Sequence, residues 1–128
     1  MEGFDHHRAD VNGIRMHYVI GGTGDPVLLI HGFPQTWYEW RHIMPALADR
    51  FTVIAPDYRG AGHTSRPVAG YDKRTMEDDM HELVRSLGFG KTAIVGHDIG
   101  LMIAYAYQAA FREETSRLVV MDSGLPGT

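Results

Sequence analysis

The stretch Gly96-His97-Asp98-Ile99-Gly100 follows the apolar run "AIV" and precedes "LMIAYAY". Its order, small-x-nucleophile-x-small between a strand and a helix, is that of a nucleophile elbow, in which small neighbours permit a tight turn and the helix starts at once. Asp98 is therefore a candidate nucleophile. The partial positive charge of the helix N-terminus favours its ionised form, and burial opposes it. Read alone, the pentapeptide also fits a second, less favoured reading: an aspartate capping a helix, with glycines marking the turn. Two other places bear on the choice. His31-Gly32-Phe33-Pro34 follows the apolar run "VLLI", and its Phe33 N–H could join the Ile99 N–H as an oxyanion hole. Asp122 follows "LVVM", where a carboxylate could orient a catalytic histidine or simply start a turn before Gly124 and Pro126.

These residues need a frame that brings strand ends to one edge. Asn12-Gly13 between two alternating segments predicts a β-hairpin. "PVLLIHG", "FTVIAP", "KTAIVGH" and "SRLVVMDS" read as strands, the first of them buried on both faces. Between them, "TWYEW" carries Thr36 and Glu39 at capping-box spacing, and Pro45 either kinks this helix or starts another. "DYRGAGHTSRPVAGY" is a loop. Thr75 and Asp78 have N-cap spacing ahead of Met76, Met80, Leu83, Val84 and Leu87, which recur at helical intervals until Gly88 and Gly90. "IGLMIAYAYQAAF" is apolar nearly all round and is expected to be a buried helix. Strand and helix alternate from Val27 onward. The fold class is therefore α/β, a β-hairpin followed by βαβ units, with a mostly parallel sheet and helices on both faces. Ligands bind such sheets at the carboxyl ends of their strands.

Composition narrows the function classes. The chain has 128 residues, 44% of them hydrophobic, and a formal charge of −4. It shows no Lys/Arg cluster for nucleic acid and no basic amphipathic stretch for a membrane surface. Without cysteine there is neither a disulfide framework nor thiolate chemistry. The polar start "MEGFDHHRAD" is not a signal peptide, so a soluble, cytoplasmic protein is expected. No cofactor and no metal site are predicted. "HELVR" at His81 is not the zinc motif HExxH, because Arg85 stands at the second histidine position, and "GGTG" at Gly21 lacks dinucleotide-binding spacing.

Taken together, "HGFPQTWYEW", "FTVIAPDYRGAGHTS", "VGHDIG" and "LVVMDSGLP" resemble the α/β-hydrolase superfamily, and within it the epoxide hydrolases. The resemblance implies that residues 1–128 form a single partial core domain: the N-terminal part of the fold, with its first six strands and no cap domain. It implies that Asp98 attacks an epoxide carbon, forming an alkyl-enzyme ester that a histidine-activated water hydrolyses to a vicinal diol. A carboxylate suits this step because, unlike serine, it needs no deprotonation at neutral pH. Phe33 and Ile99 would hold the oxyanion through their N–H groups, and Asp122 would be the acid that orients the histidine. Haloalkane or haloacid dehalogenases share the Asp nucleophile and are the alternative. They typically place Trp or Arg after it to hold the leaving group, where this chain has Ile99.

The same resemblance implies what a working site still requires. The catalytic histidine and the lid donors that protonate the epoxide oxygen belong to later segments of the family fold. A second chain or a further C-terminal segment is expected to complete the site, and the chain alone is expected to lack multiple turnover. A different class of role follows if nothing completes it: a catalytically incomplete fragment that binds or assembles with a partner. The expected ligands are a small-molecule epoxide and water. Phe33, Trp37 and Tyr38, with the motif histidines His31 and His97, are candidates for the substrate pocket, although packing beneath the loop accounts for the aromatics as well. His6, His7, His17, His42, His63 and His81 are expected to be solvated polar residues.

Overall fold

A computed structural model describes residues 1–121. Strands β1 (Phe4–Val11) and β2 (Ile14–Gly21) form the expected hairpin, with Asn12 at φ 47° and Gly13 at φ 80°. Both central residues have positive φ, which Asn and Gly tolerate best. The remaining strands are β3 (Asp25–Ile30), β4 (Phe51–Pro56), β5 (Thr92–His97) and β6 (Thr115–Met121). They complete a six-stranded sheet in the order β1-β2-β4-β3-β5-β6. Pairing is antiparallel from β1 to β4 and parallel from β4 through β3 and β5 to β6.

Helices cover both faces, as the alternating pattern predicts. Side chains alternate along a strand, so β3 sends Leu28 and Ile30 to one face and Val27 and Leu29 to the other. The first pair packs on α2 (Lys73–Ser86) and α3 (Ile99–Ala110) through Met80, Leu83, Ile103 and Tyr107. The second pair packs under Trp40 and Met44, from a short 3-10 turn (Trp37–Trp40) and α1 (Met44–Ala48). Each fully buried aliphatic side chain contributes roughly 1.5–3 kcal/mol. β3 is buried on both faces and paired on both edges, so the sheet is anchored at the strand that ends in His31-Gly32-Phe33.

Several local expectations are corrected. Pro45 lies in the first turn of α1, so it starts a second helix. Helix α2 is capped by Asp72 rather than Thr75: Asp72 Oδ2 accepts from Thr75 N at 3.0 Å, and the Thr75 hydroxyl donates to Asp72 Oδ1 at 2.8 Å. Thr75 is the cap's partner, since an extended Asp72 offers its carboxylate to the helix's third N–H. Helix α3 is not buried all round. Leu101, Ile103, Ala104 and Tyr107 are inside, while Ala109 and Ala110 are exposed. Strand β6 is an edge strand, with Val119 47% exposed. Among the described residues no helix is long and apolar enough to cross a membrane.

Candidate active site

The elbow forms where β3, β5 and the start of α3 converge, and glycines make that convergence possible. A Cβ on Gly100 would stand 2.1 Å from the Ile30 carbonyl oxygen, and one on Gly32 would stand 2.7 Å from Asp98 Cβ. Asp98 occupies φ 58°, ψ −118°, a conformation that side-chain-bearing residues rarely adopt. Its backbone is held on both sides: Asp98 N donates to Met121 O at 3.1 Å, and Leu101 N donates to Asp98 O at 3.0 Å.

The carboxylate does not cap α3. Instead Asp98 Oδ2 accepts from Phe33 N at 3.1 Å, across the gap between the two strand ends. Of the two readings of the pentapeptide, the cap is therefore not what the chain adopts. Ile99 is the first residue of α3, and the first N–H groups of a helix have no intrahelical acceptor. The Phe33 and Ile99 backbones thus flank one carboxylate. Asp122, the second acidic expectation, lies outside the described residues.

The loop that carries Phe33 is fixed from below. Gly32 N donates to Glu39 Oε1 at 2.6 Å, while Glu39 Oε2 pairs with His97 Nδ1 at 2.9 Å. Only half of the expected capping box forms. Thr36 Oγ1 accepts from Tyr38 N, but Glu39 turns away to support the loop. His31 is fully buried; its Nδ1 donates to Gly32 O at 2.8 Å and its Nε2 accepts from Tyr58 N at 3.2 Å. Burial pushes its pKa down, which suits this neutral tautomer.

A cavity of about 690 Å3 opens beside Phe33 and Ile99, with Tyr58, Ala61 and Met76 among its walls. Of the residues expected at the pocket, Phe33 lines this cavity, and His31, Trp37, Tyr38 and His97 do not. His31 lies behind Tyr58, and its ring stacks on the tyrosine's at 3.9 Å. His97 is engaged by Glu39. Trp37 N donates to Asp57 Oδ1 at 2.9 Å, and its ring meets His6 edge-on. Tyr38 is 54% exposed beneath the Arg41 guanidinium. The walls come from residues 33–36 of the loop after β3 together with the segment that follows β4.

That segment contains a residue that sequence reasoning passed over. Asp57, just after β4, is fully buried and accepts from Trp37 N, from His63 N at 3.1 Å and from His17 Nδ1 at 2.8 Å. His17 is therefore not solvated, and its Nε2 lies 2.9 Å from His6 Nδ1. His81 likewise bonds Glu114 at 3.0 Å and stacks on Phe111. A second buried pair, Arg59 and Asp79, is bidentate at 2.9 Å for both bonds. The only local signal was an aspartate ending an apolar strand. Among the described residues no three or more His, Cys, Asp or Glu are grouped to hold a metal ion.

This architecture has known counterparts. The family profile described as "alpha/beta hydrolase fold" matches residues 25–127. The chain belongs to the α/β-hydrolase fold family. Within that family it is 51% identical over 122 residues to the soluble epoxide hydrolase of Corynebacterium sp. (strain C12), covering 95% of this chain and 42% of that protein. It is 38% identical over 126 residues to a fluoroacetate dehalogenase of Burkholderia sp, covering 94% of this chain and 41% of that one. The structure of the ligand-free epoxide hydrolase CorEH superposes with a TM-score of 0.92 at 50% identity, over 93% of this chain and 42% of that one. The chain thus spans about two-fifths of the length of these relatives.

Proposed function

We propose that this α/β-hydrolase chain carries the nucleophilic half of an epoxide hydrolase site, with Asp98 as the nucleophile. The observation that carries the reading is the strained Asp98 carboxylate, bonded through Oδ2 to Phe33 N rather than to its own helix. Oδ1 attacks the epoxide carbon, the C–O bond of the ring breaks, and Oδ2 becomes the carbonyl oxygen of an alkyl ester. That oxygen already sits at the Phe33 N–H, beside the start of α3. When water adds to the ester, the Phe33 and Ile99 N–H groups stabilise the oxyanion on Oδ2. Collapse of the adduct frees the vicinal diol and restores the carboxylate.

The base that activates this water is assigned to another segment or chain. His17, His31 and His81 are engaged by Asp57, Gly32 O and Glu114 respectively. Asp122 follows the end of β6 and is proposed to orient that base. The similarity to the epoxide hydrolase supports an epoxide as substrate. The similarity to the fluoroacetate dehalogenase supports a second reading, in which the same carboxylate displaces a halide.

Intact-mass spectrometry of the chain after incubation with styrene oxide tests the nucleophile. The expected result is a stable adduct of one epoxide, mapping to the peptide that contains Asp98 and absent in Asp98→Ala. An adduct that persists in Asp98→Ala overturns the assignment.

A further inference from the structure

An epoxide opens readily only if something donates a proton to its oxygen, and we propose that Tyr58 is that donor on the core side of the cavity. The inference rests on the epoxide reading of Asp98. Tyr58 is 6% exposed and lines the cavity together with Phe33 and Ile99, the two residues that flank the carboxylate. Its ring is clamped: it stacks on His31 at 3.9 Å with 21° between planes, and its backbone N–H donates to the same imidazole. Yet its hydroxyl makes no hydrogen bond among the described residues. A buried phenol normally has a partner, and the face left for one is the cavity.

The other donors on the cavity wall are committed or peripheral. Tyr71 Oη donates to Pro67 O at 2.6 Å. Arg59 is spent on Asp79 and Ala69 O, and Arg66 on the carbonyls of Gly60 and Gly62. Gln35 is exposed, and Thr36 and Lys73 are half-buried on the rim. Among the described donors on the cavity wall, Tyr58 is the one that is both buried and uncommitted.

Its electrostatics fit the role. Burial pushes the Tyr58 pKa up to about 12, with the charges of Asp98 and Glu39 adding to the rise. The phenol is therefore protonated at neutral pH. When Asp98 becomes a neutral ester, one of the charges that holds this proton disappears, so Tyr58 becomes a better acid as the alkoxide forms. The ring oxygen takes the electron pair of the broken C–O bond and then the Tyr58 proton, and water reprotonates the phenolate.

The test uses the full chain and two probes, styrene oxide and 1-bromohexane, since bromide leaves without a proton. Adduct formation at Asp98 is timed by intact mass in wild type, Tyr58→Phe and Lys73→Met. Tyr58→Phe is expected to slow epoxide labelling by roughly 100-fold or more and to leave bromide labelling unchanged, with Lys73→Met matching wild type in both. Equal slowing of both probes in Tyr58→Phe, no slowing of either, or transfer of the epoxide defect to Lys73→Met overturns the proposal. Wild type labelled by bromide but not epoxide keeps the nucleophile and overturns Tyr58; wild type labelled by neither overturns both. Independently of labelling, the ultraviolet titration of Tyr58, isolated by subtracting Tyr58→Phe, is expected to move to lower pH in Asp98→Asn, and a fixed midpoint overturns the coupling.

Discussion

Asp57 and Asp98 occupy equivalent places, just past the carboxyl ends of β4 and β5, the two strands that flank β3 in parallel, and they have opposite environments. Asp57 is fully buried and takes three donors, from the 3-10 turn, the following loop and β2. Asp98 is half-exposed, its carboxylate accepts from the backbone N–H of Phe33, and it sits in a backbone conformation that costs energy to hold. The first carboxylate is consumed by structure; the second keeps an oxygen available for chemistry. Glu77 on α2 shows a third outcome. It is buried with Oε2 unpartnered, and burial, followed by the nearby Asp78, pushes its pKa up to about 7. A buried carboxylate thus finds donors, as Asp57 does, or binds a proton, as Glu77 does.

The largest test of this contrast is Asp57→Ala. It strands the Trp37 and His63 N–H groups and the His17 ring, and is expected to cost about 3–5 kcal/mol in urea denaturation. A loss below about 1 kcal/mol would mean that Asp57 is as dispensable to the fold as Asp98. The next concerns Glu77, whose folded pKa lies above its unfolded value. Its contribution to stability is full below about 4.5, and is lost as the pH rises to about 7. In that window the slope approaches about 1.4 kcal/mol per pH unit. Glu77→Gln is expected to flatten this part of the stability–pH curve, and an unchanged curve would remove the proton-binding case. The smallest effect belongs to Asp98→Gly. Relief of the positive φ against loss of the Phe33 bond predicts a stability equal to wild type or higher by about 1 kcal/mol. A clear drop in the thermal midpoint would show that Asp98, too, serves the fold.

Much of this was legible residue by residue. The Asn12-Gly13 turn, the continuous apolar run of β3 and the small residues around Asp98 each state a local requirement of backbone geometry, and such requirements are met wherever the chain folds. The elbow was readable for that reason, with Phe33 beside it. The exchange of Thr75 for Asp72 as a cap shows the limit even locally, since two polar residues near a helix start compete and the extended one takes the capping role.

Pairing between distant segments was not legible. Glu39 carries a local capping signal, and it was diverted to Gly32 and His97 only because β3 and β5 lie side by side. Trp37 and Tyr38 are aromatic and follow the loop, yet the wall of the cavity comes from Tyr58, which a sequence places among loop residues. The amino-acid order by itself determined which segments are strands and helices, where the chain must turn sharply and which carboxylate stands at the sharpest turn, because dihedral preference and hydrophobic period act over a few neighbours. Only the tertiary structure decided which carboxylate would be satisfied, which histidines would be buried and which tyrosine would line the cavity, because hydrogen bonds and burial depend on groups that the fold brings together from far along the chain.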